Sequence, residues 1–165
     1  MRVSIAELVA ALGEKGSLMR ELKRLLQVEQ SCLVTLDLAK LEENQQQIQG
    51  AMEKLSGLSE RCRGMIAALS AELGLSGGAA LSPIIARLPA EEQASLREAQ
   101  RTVAADSREL GGALALNRGL LEDSLTFVNQ SVGFFNRLFN PGDTYGMAGS
   151  LVSRRGGSRF VCKEV

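Results

Sequence analysis

The chain has 165 residues, 45% hydrophobic but only 4% aromatic, and no tryptophan, so a core of leucine and alanine in helices fits it better than a sheet. Lysine plus arginine equals aspartate plus glutamate at 19 each, which argues against nucleic-acid binding, because the basic residues cluster only at the extreme C-terminus. The lack of histidine removes the commonest general base, the commonest metal ligand and the usual activator of a nucleophilic serine or cysteine.

Cys32, Cys62 and Cys162 are odd in number, far apart and outside any CxxC, so neither a closed disulfide framework nor a zinc site is expected. The apolar stretch in "MRVSIAELVAALGEKG" is too short and interrupted for a signal peptide. No run approaches the roughly 18 apolar residues of a membrane helix. The expectation is a cytoplasmic protein with no integral membrane segment, no cofactor and no metal.

In chain order, the first expected helix covers 4–34. Ser4 and Glu7 form a capping box, in which the hydroxyl accepts from a free amide of the first turn and the carboxylate reaches back. Ile5, Leu8, Leu12, Met19, Leu22, Leu26, Leu33 and Leu36 recur in steps of three and four once Lys15 and Glu29 are admitted to the seam. Gly13 and Gly16 weaken this helix by roughly 1 kcal/mol each relative to alanine.

The seam shifts phase near Thr35 to Asp37, and Asp37 can cap a second helix over 37–73. No glycine or proline marks that break, and one longer helix is the alternative. Leu41, Ile48, Met52, Leu55, Cys62, Ile66, Leu69 and Leu73 form the second apolar series. Gly74, Gly77 and Gly78 supply stopping positions. "NQQQIQ", from Asn44 to Gln49, reads as a solvated helix face.

A short helix is expected over 83–88, with Ser82 as its cap and Pro83 in its first position. Pro89 then opens the last helix, 90–139, whose N-terminal dipole Glu91 and Glu92 favour. Its second half is the most regular stretch of the chain. Leu121, Leu125, Val128, Val132, Phe135 and Phe139 alternate steps of four and three, the spacing of a coiled-coil or bundle seam. Phe127, Phe134 and Leu138 lie off this row and widen the apolar face. The stripe from Leu114 to Leu125 is expected to pack on the first two helices. The part beyond it is expected to stay open to a partner.

The predicted fold is therefore all-α: an elongated antiparallel three-helix bundle or coiled coil over 1–140, followed by a flexible tail over 141–165. Nothing in "NPGDTYGMAGS" has the pattern of a helix or a strand, and it holds the single tyrosine, Tyr145. That tyrosine reads either as a plug on the bundle end or as a residue held out for a partner's pocket.

Enzyme chemistry has little to build on. "GLSGG" around Ser76 lacks the preceding strand and the GK[ST] of a phosphate-binding loop. The pairs Glu42/Glu43, Glu91/Glu92 and Glu122/Asp123 are adjacent residues, which diverge on a helix rather than converge on one site. A binding protein with no small-molecule substrate is expected. A self-associating coiled-coil scaffold is the alternative.

"LLEDSLTFVNQSVGFFNRLF" followed by "TYGMAG", with "NRGLLEDSL" from Asn117 and "LLQVEQSCLVTLDLAKLEE" over Leu25 to Glu43, resembles the FlgN family of flagellar export chaperones. The resemblance implies binding of the C-terminal regions of the hook-filament junction proteins FlgK and FlgL before their export. It places the client surface on the last helix, at Leu121, Leu125, Val128, Val132, Phe134, Phe135, Leu138 and Phe139. It gives Tyr145 the role of docking on the export-gate protein FlhA. The basic ending "SRRGGSRFVCKEV" and the glycines at 13 and 16 depart from the family pattern.

Overall fold

Ser4 opens the first helix, α1 (Ile5–Thr35), from an extended conformation, and the capping box is complete. The Glu7 amide donates to Ser4 Oγ and the Ser4 amide donates to Glu7 Oε2, each at 3.1 Å. The computed structural model describes residues 4–76, 80–139 and, as backbone, 143–145 and 151–153. Helix α2 (Leu38–Glu72), the short α3 (Leu81–Ile85) and the 50-residue α4 (Ala90–Phe139) follow. The fold is an all-α helical bundle.

The break between α1 and α2 is made without glycine. Leu36 takes the left-handed conformation, φ 56° and ψ 31°. The Asp37 amide returns to the Cys32 carbonyl at 3.1 Å, and the Asp37 carboxylate accepts from the Lys40 amide at 3.1 Å. Expected as a seam residue, Leu36 is instead 79% exposed. At the far end of α2 the stop is the expected glycine: Gly74 has φ +63°. Gly77 and Gly78, the other expected stopping positions, lie outside the described residues. Helix α3 begins earlier than the spacing predicts, capped by Ala80 with no side-chain bond, so Ser82 and Pro83 lie inside it. Pro89 stands just outside α4 and its carbonyl accepts from the Gln93 amide at 2.9 Å.

Residues Met1–Asn117 form one compact unit and Arg118–Val165 another. The first unit holds the core. Its first apolar cluster joins Leu8 and Leu12 of α1, Leu58, Cys62, Ile66 and Leu69 of α2, Ile84 and Ile85 of α3, and Leu96 of α4. Its second joins Met19, Leu22, Leu25 and Leu26 to Ile48, Ala51 and Leu110. The start of α1 thus meets the end of α2, as an antiparallel hairpin requires. Helix α4 runs parallel to α1, because their contacts keep a constant offset. Arg20 meets Asp106 and Lys23 meets Glu109, both 86 residues apart, and Gln30 meets Asn117, 87 apart.

The α4 stripe buried in this unit is not the one the leucine spacing predicts. Leu96, Leu110 and Asn117 are buried, with Ala99, Val103 and Ala113 partly so. Leu114, placed by the spacing against the first two helices, is 42% exposed. On α2, Met52 is likewise exposed, whereas Asn44 in the presumed solvated stretch is buried.

The second unit contains the rest of α4 and one two-stranded antiparallel pair. Strand β1 (Asp143–Tyr145) pairs with β2 (Leu151–Ser153) in the register Asp143 to Ser153, Thr144 to Val152 and Tyr145 to Leu151. This corrects the expectation that no regular element follows Asn140. The rest of the expected tail lies outside the described residues.

Candidate binding surface

From Arg118 to Phe139 no residue of α4 is buried. The segment is helical throughout, and its large apolar side chains stay exposed. Leu121, Leu125, Phe127, Val128, Val132, Phe134, Phe135, Leu138 and Phe139 are each between 44% and 69% exposed. All eight residues that the resemblance assigns to client binding are in this set, on one continuous helix. Phe127 belongs with them by exposure. Single exposed leucines are ordinary, but nine large apolar side chains within 19 residues are not.

The chemistry of this stretch is apolar and uncharged. Between Asp123 and Arg137 the sequence "SLTFVNQSVGFFN" carries no ionisable group. Three hydroxyls are turned onto their own helix. Ser124, Thr126 and Ser131 donate to the carbonyls of Leu120, Glu122 and Phe127 at 2.7, 2.9 and 2.9 Å. These bonds satisfy the hydroxyls locally and leave the apolar groups as the main surface on offer. The rings are mutually ordered: Phe134 meets Phe135 edge-on at 5.7 Å, and Phe135 stacks on Phe139 at 6.1 Å. Arg118 and Glu122 pair at 2.9 Å near the start of the segment.

Tyr145 closes strand β1, and its backbone pairs with Leu151. The placement of its side chain lies outside the description.

Elsewhere, an open groove of about 390 Å³ runs along Val9, Leu12, Gly13 and Gly16 of α1 and Ser95, Ala99, Thr102 and Val103 of α4. Its only ionisable lining groups are Arg20 and Glu98, and Arg20 is already held by Asp106 at 2.6 Å. That arrangement provides no general acid–base pair. Cys62 is buried among apolar side chains, and burial pushes its thiol pKa up, which opposes the thiolate a reactive cysteine needs. Among the described residues, no helix is long and apolar enough to cross a membrane.

Among curated proteins and solved structures, none matches the chain. The family described as FlgN protein matches residues 1–153, which takes in all four helices and both strands. The bundle, the open apolar helix and the tyrosine strand therefore sit in one family frame, and the chain belongs to the FlgN family of flagellar export chaperones.

Proposed function

We propose that this chaperone captures the C-terminal segments of the hook-filament junction proteins FlgK and FlgL in the cytoplasm. The observation that carries the reading is the exposed apolar face of α4 from Leu121 to Phe139, with no ionisable group between Asp123 and Arg137. A client helix laid along it with apolar residues at helical spacing covers that face. A client segment held this way cannot pair with its own assembly partners, and the ordering it undergoes tempers the affinity enough for later release. Tyr145 is the residue we assign to the export-gate protein FlhA, since a tyrosine combines a large apolar ring with one hydroxyl at low entropic cost.

The test mixes the purified chain with the C-terminal segment of a junction protein and sizes the mixture by light-scattering chromatography. A discrete stoichiometric complex is expected, and it should be lost when Val132 and Phe135 are both changed to Asp. Self-assembly of the chain with rising concentration and no complex with the client would favour a coiled-coil scaffold instead. Tyr145→Ala should keep helicity and client binding while weakening gate binding.

A further inference from the structure

At the end of the first unit the core changes from apolar to polar. Glu29 of α1, Asn44 of α2 and Asn117 of α4 are each no more than 4% exposed. Their hydrogen bonds cross all three long helices. Asn117 Nδ2 donates to the Leu26 carbonyl at 2.9 Å and to Glu29 Oε2 at 2.5 Å. Asn117 Oδ1 accepts from Gln30 Nε2 at 2.5 Å. Gln45 Nε2 donates to Glu29 Oε1. Asn44 Nδ2 donates to the Leu25 carbonyl at 2.9 Å. Among the described residues, no buried side-chain nitrogen or oxygen lacks a partner.

We propose that this polar layer is the device that fixes the axial register of α4 on the α1–α2 hairpin, and with it the point at which packed α4 ends. The apolar seams cannot do this alone. Leu96, Val103, Leu110 and Asn117 recur every seven residues, and Leu12, Met19 and Leu26 do the same on α1. A slide of one heptad, about 10 Å along the axis, sets apolar side chains against apolar side chains again. The polar layer does not survive such a slide. Leu110 or Ser124 would stand where Asn117 stands, and the buried Glu29 carboxylate would lose its α4 donor. A buried charge stripped of a hydrogen-bond partner is strongly disfavoured. The ion pairs Arg20–Asp106 and Lys23–Glu109 share the offset but are partly exposed, so they report the register more than they hold it.

The test uses the full chain with Glu29→Leu, Asn117→Leu, the two together, and Glu29→Gln. Lys23 Nζ and Glu109 Oε2 lie 2.6 Å apart, so a zero-length carbodiimide cross-link between them, mapped by mass spectrometry, reads the register directly. Each single leucine variant should melt lower than the parent, because it strands a buried polar partner. The double variant should recover the melting temperature and the helicity, yet lose the Lys23–Glu109 cross-link by severalfold and show more than one set of amide resonances for α4. Glu29→Gln, which keeps the layer polar, should keep the cross-link. A double variant with the parental cross-link yield and a single set of resonances would overturn the proposal. So would a double variant less stable than either single one.

Discussion

Phe135→Ala separates binding from folding, and its size follows from the structure. The Phe135 side chain is 53% exposed. A phenylalanine presents about 200 Å² in all, so about 100 Å² remains for a client to cover. At about 25 cal/mol per Å², with the β-carbon retained, truncation removes about 2 kcal/mol of client binding, or about 30-fold in Kd. The same change should cost the free protein under about 1 kcal/mol, since Phe135 is half exposed and its ring partners Phe134 and Phe139 are exposed too. Leu96→Ala is the opposite control. Leu96 is 0% exposed in the core of the first unit, and its truncation should cost about 2–5 kcal/mol of stability. The assays are urea unfolding followed by circular dichroism, and isothermal titration with the client segment. An equal loss of stability in the two variants would refute the reasoning, because Phe135 would then be a core residue of the free protein. A change in Kd below about 3-fold would refute the claim that a client covers its ring.

Leu36→Gly should raise unfolding stability by about 0.5–1 kcal/mol in chemical denaturation: it relieves the left-handed strain of a leucine at φ 56°, roughly 1–2 kcal/mol, against the larger unfolded-state entropy of glycine. Gly13→Ala should stabilise by up to about 1 kcal/mol, because an added β-carbon meets nothing within 4 Å. Gly16→Ala should gain less or lose stability on the same assay, since its β-carbon would lie 2.7 Å from Asp106 Oδ2 and disturb the pair with Arg20. Lys23 holds the Glu109 carboxyl below its ordinary pKa, first through their hydrogen bond and then through charge. The folded value is thus lower than the unfolded one, so this small contribution exists above the unfolded carboxylate pKa and disappears as pH falls through the folded value. The melting-temperature gap between the parent and Lys23→Gln should accordingly be open at neutral pH and closed in strong acid.

The helices were legible where elementary rules act locally. The Ser4–Glu7 box, the Asp37 cap and the Gly74 stop are each made by residues within a turn or so of the helix end they finish. The α1–α2 break shows the limit of such rules. Its chain reversal falls on Leu36, a residue type with no preference for that conformation, so only the phase shift of the seam and the Asp37 cap announce it. The polar layer was hidden for a different reason. An amide-rich run such as "NQQQIQ" looks solvated until its partners are known. Those of Asn44 and Gln45 lie 19 and 16 residues away on α1. The seam did place Glu29 on the core side, but only as a tolerated exception.

The α4 helix makes the most instructive mismatch, because spacing identified a true apolar stripe and assigned part of it to the wrong task. In the first unit the helix buries Leu96, Ala99, Val103, Leu110, Ala113 and Asn117 wholly or in part, and Asp106 occupies the remaining position of that row with its pair to Arg20. Four of the seven residues in that row, Ala99, Asp106, Ala113 and Asn117, are small or polar, so it gives little hydrophobic signal. It nevertheless packs, because small side chains admit close approach and the polar ones find partners. The stronger signal comes from Leu114, Leu121, Leu125, Val128, Val132, Phe135 and Phe139, all of them exposed. Continued in steps of three and four, the buried row passes through 120, 124, 127, 131, 134 and 138, one position out of phase with the leucine–phenylalanine row. Heptad spacing states only that an apolar face wants a helical neighbour. It does not say whether that neighbour belongs to the same chain. For a chaperone the distinction matters, since a face satisfied internally could not hold a client. The most regular apolar pattern in this protein is therefore the one its own bundle leaves uncovered.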